Sequence, residues 1–413
     1  MWTYSFSIFV RGYIAFSGLC VFFVSASLFG ATGRGVIGYG TSLFAALGIF
    51  LSFNLGRAFL QAQIEDSKNR DALLFQCLSL NVFASLLTMG AGILYWQFSP
   101  SAQKILSSSE ILGFSMTSFF CVWSHNGHLF YSSYLKTKVQ DFLIFLTRTV
   151  VILFLTGLIL FHSKTNLTTF IWAYALLLLG GTLLEMAVIQ WISKAPIRFT
   201  MDLKSYGRLI QKTLWPHLDY IFFHIFPLLL MVLSAGFLSV STLGKINFAT
   251  QMINFIFLFS TTAHMRVNAY VANGGIQDKF NKFWKLMSLT ALASLLSAVL
   301  LYFAIHFLPN IPMLKSFSGS SRLYLISLAA LPGYILFQFF NPLWIEKGKL
   351  KSTVLLQGMN LLICLALSPF LLKHFGEQGY LMGFSLFYFN NIPLHLWLYR
   401  SVFGRQRELL KTE

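Results

Sequence analysis

The chain alternates between long apolar runs and short polar breaks, and the runs repeat about a dozen times. They fall at 13–29, 36–60, 72–97, 111–134, 142–162, 168–192, 214–236, 246–268, 284–308, 321–345, 352–372 and 379–399. A hydrocarbon layer of roughly 30 Å needs about 20 apolar residues in a helix, and these runs match that length. Within lipid the backbone must satisfy its own hydrogen bonds, which leaves helices or a closed barrel. Barrel strands are short and alternate apolar with polar positions, whereas these runs are long and uniformly apolar. The pattern predicts an all-α integral membrane protein with about twelve transmembrane helices.

The breaks carry the charge. Lys and Arg number 30 against 13 Asp and Glu, a formal net charge of +17, while hydrophobic residues make up 56% of the chain. The segments after even-numbered runs, with the C-terminal tail, hold 19 of the Lys and Arg, and those after odd-numbered runs hold 7. The positive-inside rule then places both termini in the cytoplasm. No cleavable leader is evident, since the first run leads directly into a second. The excess of cations suggests a large anionic cargo, not nucleic acid.

The longest polar stretch, 193–213, lies near the midpoint of the chain. Lys204, Arg208 and Lys212 recur every four residues, opposite Leu203, Tyr206, Leu209 and Ile210. That spacing predicts an amphipathic helix on the cytoplasmic leaflet. The expected organisation is an N-terminal bundle at 1–192, this linker at 193–213, a C-terminal bundle at 214–400 and a tail at 401–413. Each half places a glycine and then a cation after its first run, Gly33-Arg34 and Gly244-Lys245, and an arginine late in its second, Arg57 and Arg266. Matched placement of this kind is a mark of transporters built from repeats.

An ionisable group inside a span is costly and marks a candidate functional position. Four arginines lie in or at the edge of spans: Arg11, Arg57, Arg148 and Arg266. The guanidinium fork can donate two parallel hydrogen bonds to phosphate oxygens, so these are candidate ligands for a diphosphate. Snorkelling to the headgroups is the alternative for those near span ends. Glu185 and Asp219 are acids inside spans. They are candidates for binding a coupling H⁺ or Na⁺, or counter-ions for the arginines. Asp219 shares span 7 with His217, His224 and two prolines; Pro216 sits at its expected start and Pro227 should kink it. With His224 it forms a candidate gate. His125 and His128, three residues apart, lie on one face of span 4 and could line a polar path or bind sugar. No third ligand accompanies them, so neither a metal nor any other cofactor is expected. The four cysteines fall in spans without metal-ligand spacing and read as packing residues. Most tryptophans sit near span ends as an aromatic belt, with Trp123 beside His125 the exception. No phosphate-binding loop of the ATPase type and no nucleophile elbow is present, so no catalytic residue is expected. An integral membrane glycosyltransferase or polymerase is the rival from another class. Its chemistry calls for an acid or a substantial external loop, and the external loops are short.

Two stretches carry a resemblance. The run Val24-Ser25-Ala26-Ser27-Leu28-Phe29-Gly30-Ala31-Thr32-Gly33-Arg34-Gly35-Val36 resembles the opening of polysaccharide-transporter proteins. The run Leu243-Gly244-Lys245-Ile246-Asn247-Phe248-Ala249 is similar to that family's second copy of the turn, with Asn247-Phe248 departing from the usual Tyr-Ser type. These proteins are part of the multidrug/oligosaccharidyl-lipid/polysaccharide exporter superfamily. The resemblance implies two pseudo-symmetric six-helix bundles forming a V around a central cavity lined by spans 1, 2, 7 and 8. It implies an O-antigen or capsule flippase of the bacterial inner membrane that moves undecaprenyl-diphosphate-linked oligosaccharide by alternating access. A polysaccharide polymerase and a chain-length regulator would be its partners. A lipid II flippase and a multidrug exporter are the nearest relatives with a different cargo.

Overall fold

The computed structural model describes residues 2–57, 59, 70–160, 165–194, 203–272 and 280–401. Among these residues the regular structure is helical throughout. In chain order the helices are α1 (Trp2–Leu51), α2 (Arg70–Phe98), α3 (Pro100–Ile105), α4 (Ser108–Met116), α5 (Ser118–Ser133), α6 (Thr137–Leu160) and α7 (Leu167–Ser193). Next come α8 (Leu203–Ser234), α9 (Val240–Ala272), α10 (Phe280–Phe307), α11 (Ser320–Ser327), α12 (Leu331–Glu346), α13 (Leu350–Phe389) and α14 (Asn391–Tyr399).

Two helices are too long to be single spans. The apolar stretch Gly12–Arg57 covers 46 residues. At 1.5 Å per residue it would extend roughly 69 Å, more than twice the hydrocarbon thickness. It folds back at Gly30, whose φ of 62° favours glycine. Arg34 Nη1 donates to Ser25 Oγ at 3.0 Å, and its guanidinium lies 4.3 Å from the Phe22 ring centroid. In a straight helix residues 22 and 34 would be separated by roughly 18 Å of rise, beyond that reach. The same device recurs in α13 at Gly376, with φ 55°. There Asn360 Nδ2 donates to the carbonyl of Phe387 at 2.9 Å, which requires the two arms to run side by side.

Span 4 is built from α4 and α5 in series, and span 10 from α11, a short 3₁₀ turn and α12. Counting α1 and α13 twice, the described residues make about twelve crossings, as the hydrophobic pattern predicts. The outward faces remain apolar, as lipid requires: Leu289, Leu292, Leu296 and Leu300 of α10 are all exposed.

By contacts the chain divides into two units, Met1–Gly236 and Phe237–Glu413. Within the first, Leu55, Phe59, Cys77, Trp123, Phe130, Tyr131 and Ile189 pack into one buried cluster. Positions 195–202 of the expected linker, and 402–413 of the expected tail, lie outside the described residues. From Leu203 the chain is already helical and runs unbroken into span 7. Pro216 is therefore internal to α8 rather than at its start, because the helix begins about three turns earlier. Lacking an N–H, it leaves the carbonyl four residues back without its helical donor.

Candidate functional site

A cavity of about 360 Å³ lies inside the first unit. Four helices line it. Ile14 of α1 closes one side, and the other three contribute positions at helical spacing, among them Ser124 and His128 from α5, Ile144 and Arg148 from α6, and Gly181 and Glu185 from α7. Gly181 allows the close approach of α6, since a Cβ there would sit 2.4 Å from Thr147 Cγ2.

Glu185 is the hub. Its Oε2 accepts from Trp123 Nε1 at 2.9 Å and from Gln140 Nε2 at 3.3 Å, while its backbone carbonyl accepts from the Tyr131 hydroxyl at 2.7 Å. His128 Nδ1 lies 3.3 Å from Gln140 Oε1 and donates to it, since an amide oxygen only accepts. Arg148 interacts electrostatically with Glu185, and its guanidinium lies 5.5 Å from the Phe120 ring centroid. Asp141, also buried, adds a second carboxylate. The apolar run begins at residue 142, but α6 begins at Thr137 and carries Asp141 inside. The cavity thus balances one guanidinium against two carboxyl groups. That set suits a small cation better than a diphosphate.

A second polar cluster joins span 2 to α8. Thr213, His217 and Tyr220 are spaced i, i+4, i+7 on one face of α8. The Tyr220 hydroxyl bonds His125 Nδ1 at 2.8 Å, and its ring lies tilted by 39° against His224 with centroids 4.4 Å apart. His125 and His128 therefore turn to different neighbours, one to α8 and the other to α6. Asp219 is buried, and Arg57 is half-buried and interacts with it electrostatically.

Span 2 itself is interrupted. The helix ends at Leu51, Phe53 and Asn54 take φ of 50° and 49°, and a helical turn resumes at Leu55. Such a break leaves main-chain groups unbonded, and inside a membrane they must find partners. Thr213 Oγ1 lies 3.1 Å from the Phe53 carbonyl and equally 3.1 Å from the Ile210 carbonyl of its own helix, sharing its one proton between them, and His217 Nε2 donates to the Phe50 carbonyl at 3.1 Å. Asn126, fully buried, donates to the Ser52 carbonyl at 3.2 Å and accepts from Gly56 N at 3.0 Å. Its amide also reaches Asn81 Oδ1 at 2.9 Å. Sequence reasoning passed over Asn126 and Asn81. Amides inside apolar runs were the available signal.

In the second unit Arg266 is exposed on α9. Two residues before it, His264 Nδ1 donates at 2.7 Å to the carbonyl of Gln338. Pro342 of α12, four residues on, has no N–H to fill that carbonyl. A separate amide network, unforeseen from the sequence, joins α13 and α14: Gln357 to Asn391, and Asn390 Nδ2 to Asn360 Oδ1 at 2.8 Å. Arg11 lies in α1, with its side chain outside the described residues.

These features define a class, a multi-pass helical membrane protein with broken spans and polar groups buried inside its helix packing. The solved structures it resembles narrow that class. A lipid II flippase MurJ in an inward closed conformation matches with TM-score 0.74 at 15% identity, covering 97% of this chain and 87% of that one. An inward-facing MATE-family multidrug resistance transporter of the MOP superfamily matches with TM-score 0.62 at 13% identity, covering 97% and 94%. A MOP superfamily transporter from Pyrococcus furiosus, described as having a binding pocket of reversed polarity, matches with TM-score 0.61 at 13% identity over 97% and 94%. The chain has the fold of these transporters. All three are transporters or flippases by description, and none is an enzyme. No family model matches the chain, and no curated protein matches it in sequence.

Proposed function

We propose that this protein is a flippase for undecaprenyl-diphosphate-linked oligosaccharide, the repeat unit of an O-antigen, capsule or exopolysaccharide. It acts by alternating access in a bacterial inner membrane, with both termini cytoplasmic. The observation that carries the reading is Arg57: a guanidinium half-buried within a span, beside a broken helix, in a chain sharing its fold with a lipid II flippase. A net charge of +17 supports an anionic cargo.

In this reading Arg57 and Arg266, with Arg11, bind the diphosphate. Arg148 and His128 serve the cavity of the first unit with Glu185 rather than the substrate. That cavity takes the coupling H⁺ or Na⁺, its two carboxyl groups holding the cation that Arg148 displaces in the other state. Asp219, His224 and His125 gate α8. A polysaccharide polymerase and a chain-length regulator receive the flipped product.

The nearest alternative keeps the same diphosphate chemistry with lipid II as cargo. A multidrug exporter fits less well, since arginines in the spans disfavour cationic drugs. Deleting the gene and analysing the accumulated carrier-linked glycan separates these readings. Accumulation of an undecaprenyl-linked repeat unit supports the proposal, and accumulation of lipid II favours the alternative. Arg57→Ala and Arg266→Ala are each expected to lower surface polysaccharide at unchanged protein level. Arg→Lys should restore part of it, because a point charge replaces the two-pronged fork. Full export by both alanine variants would reduce these arginines to anchors at the headgroups.

A further inference from the structure

The interruption of span 2 and the seating of α8 against it use the same two carbonyls. In a continuous helix the Phe50 carbonyl would accept from Asn54 N–H, and the Phe53 carbonyl from Arg57 N–H. Here His217 and Thr213 occupy those acceptors, at 3.1 Å each. Arg57 N–H turns instead to the Asn54 carbonyl at 3.0 Å. A carbonyl oxygen can accept two hydrogen bonds, so the two arrangements compete through geometry: rewinding residues 53 and 54 out of the left-handed region turns both carbonyls away from the directions in which His217 and Thr213 now meet them.

The broken arrangement is strained without its clamps. Phe53 and Asn54 both sit in the left-handed region, φ 50° and 49°. For phenylalanine that region is costly, and it persists only where surrounding structure imposes it. Asn126 bridges the break, holding the Ser52 carbonyl on one side and Gly56 N–H on the other. A Cβ at Gly56 would lie 2.6 Å from the Asn126 carbonyl, so the resumed turn is pressed directly against α5. Each residue that rewinds rotates the remainder of the span by about 100° and advances it by about 1.5 Å, and Arg57 is three residues beyond Asn54.

We propose that Thr213, His217 and Asn126 are positioning residues for Arg57, and that residues 52–54 form a two-state latch whose rewinding releases α8 and re-aims the Arg57 guanidinium. The role given to Arg57 rests on the flippase reading; the latch itself does not. Asp219, on α8 and within electrostatic reach of Arg57, loses that neighbour as the latch rewinds. One bistable turn thereby links the direction of a binding arginine to the position of the helix expected to gate the path.

Hydrogen exchange of the purified full-length chain, followed by mass spectrometry over residues 50–57, tests this without substrate. In the double variant Thr213→Val/His217→Phe the freed carbonyls recover their helical donors, and exchange across 53–57 slows by about tenfold. Asn54→Ala, which disfavours the left-handed conformation, shifts exchange the same way by itself and covers the case in which the double variant fails to fold. Asn54→Gly speeds exchange by relieving the strain of the broken state. His217→Gln, whose amide can still donate to the Phe50 carbonyl, keeps the wild-type rate. Faster or unchanged exchange in both the double variant and Asn54→Ala would overturn the latch and leave a fixed break. Loss of export in Arg57→Ala is a separate measurement, so either idea can fail alone.

Discussion

At the scale of single residues, Glu185 concentrates the chemistry of the first unit, its carboxylate accepting from both Trp123 and Gln140. Glu185 and Asp219 stand out because a carboxylate in an apolar run is rare. What Glu185 touches depends on Trp123 and Gln140, 62 and 45 residues away, and on Arg148. Removing the carboxylate leaves two buried donors, Trp123 Nε1 and Gln140 Nε2, without their acceptor and takes a charged neighbour from the half-buried Arg148. Glu185→Ala is expected to cost about 1–3 kcal/mol for each donor left unsatisfied. Glu185→Gln keeps an acceptor and should cost much less, so that it isolates any coupling defect from folding. Thermal unfolding in detergent, read beside export, distinguishes the two. If Glu185→Ala unfolds like the wild type, the hub assignment is wrong. His125 and His128 show the limit of spacing rules. Three residues apart they share a helical face, yet one meets α8 and the other α6, because a face of a packed helix borders more than one neighbour.

At the scale of elements, the apolar pattern located the spans, and only the packing showed how they join. Gly30 and Gly376 each turn one long helix into two spans, where the sequence indicated separate helices with a turn. A glycine beside an apolar run signals a boundary, but not whether the chain there loops or folds back. Two glycines near the α13 bend make different predictions. A Cβ on Gly379 would meet the Leu371 carbonyl oxygen at 2.0 Å, so the two arms would have to part. Gly376 has open space around it, and alanine there meets only the penalty of its φ of 55°. Gly376→Ala should therefore cost about 1–2 kcal/mol. Gly379→Ala should cost distinctly more, with lower expression and melting temperature. Equal losses would mean that the two arms can separate without cost.

At the scale of the whole molecule, the distribution of Lys and Arg makes the testable statement. Nineteen of these residues lie after even-numbered spans or in the tail, and seven after odd-numbered spans. Cysteines placed at position 3 and position 410, in a chain without its native thiols, should react with membrane-impermeant reagent only after the cells are opened. A cysteine replacing Lys104 should react in intact cells. Labelling of either terminus from outside would invert the topology, and with it the direction of transport.

The sequence by itself determined that this is an all-helical membrane protein of about twelve spans with a strong cationic bias. It could do so because lipid supplies no hydrogen-bond partners: every span must be long, apolar and helical, and those demands are local. The tertiary structure decided which helices fold back on themselves, which span is interrupted and which charges meet. Asn126 reaches Gly56 across 70 residues, and His217 reaches the Phe50 carbonyl across 167. Contacts of that range arise from packing, to which a periodicity of 3.6 residues is blind.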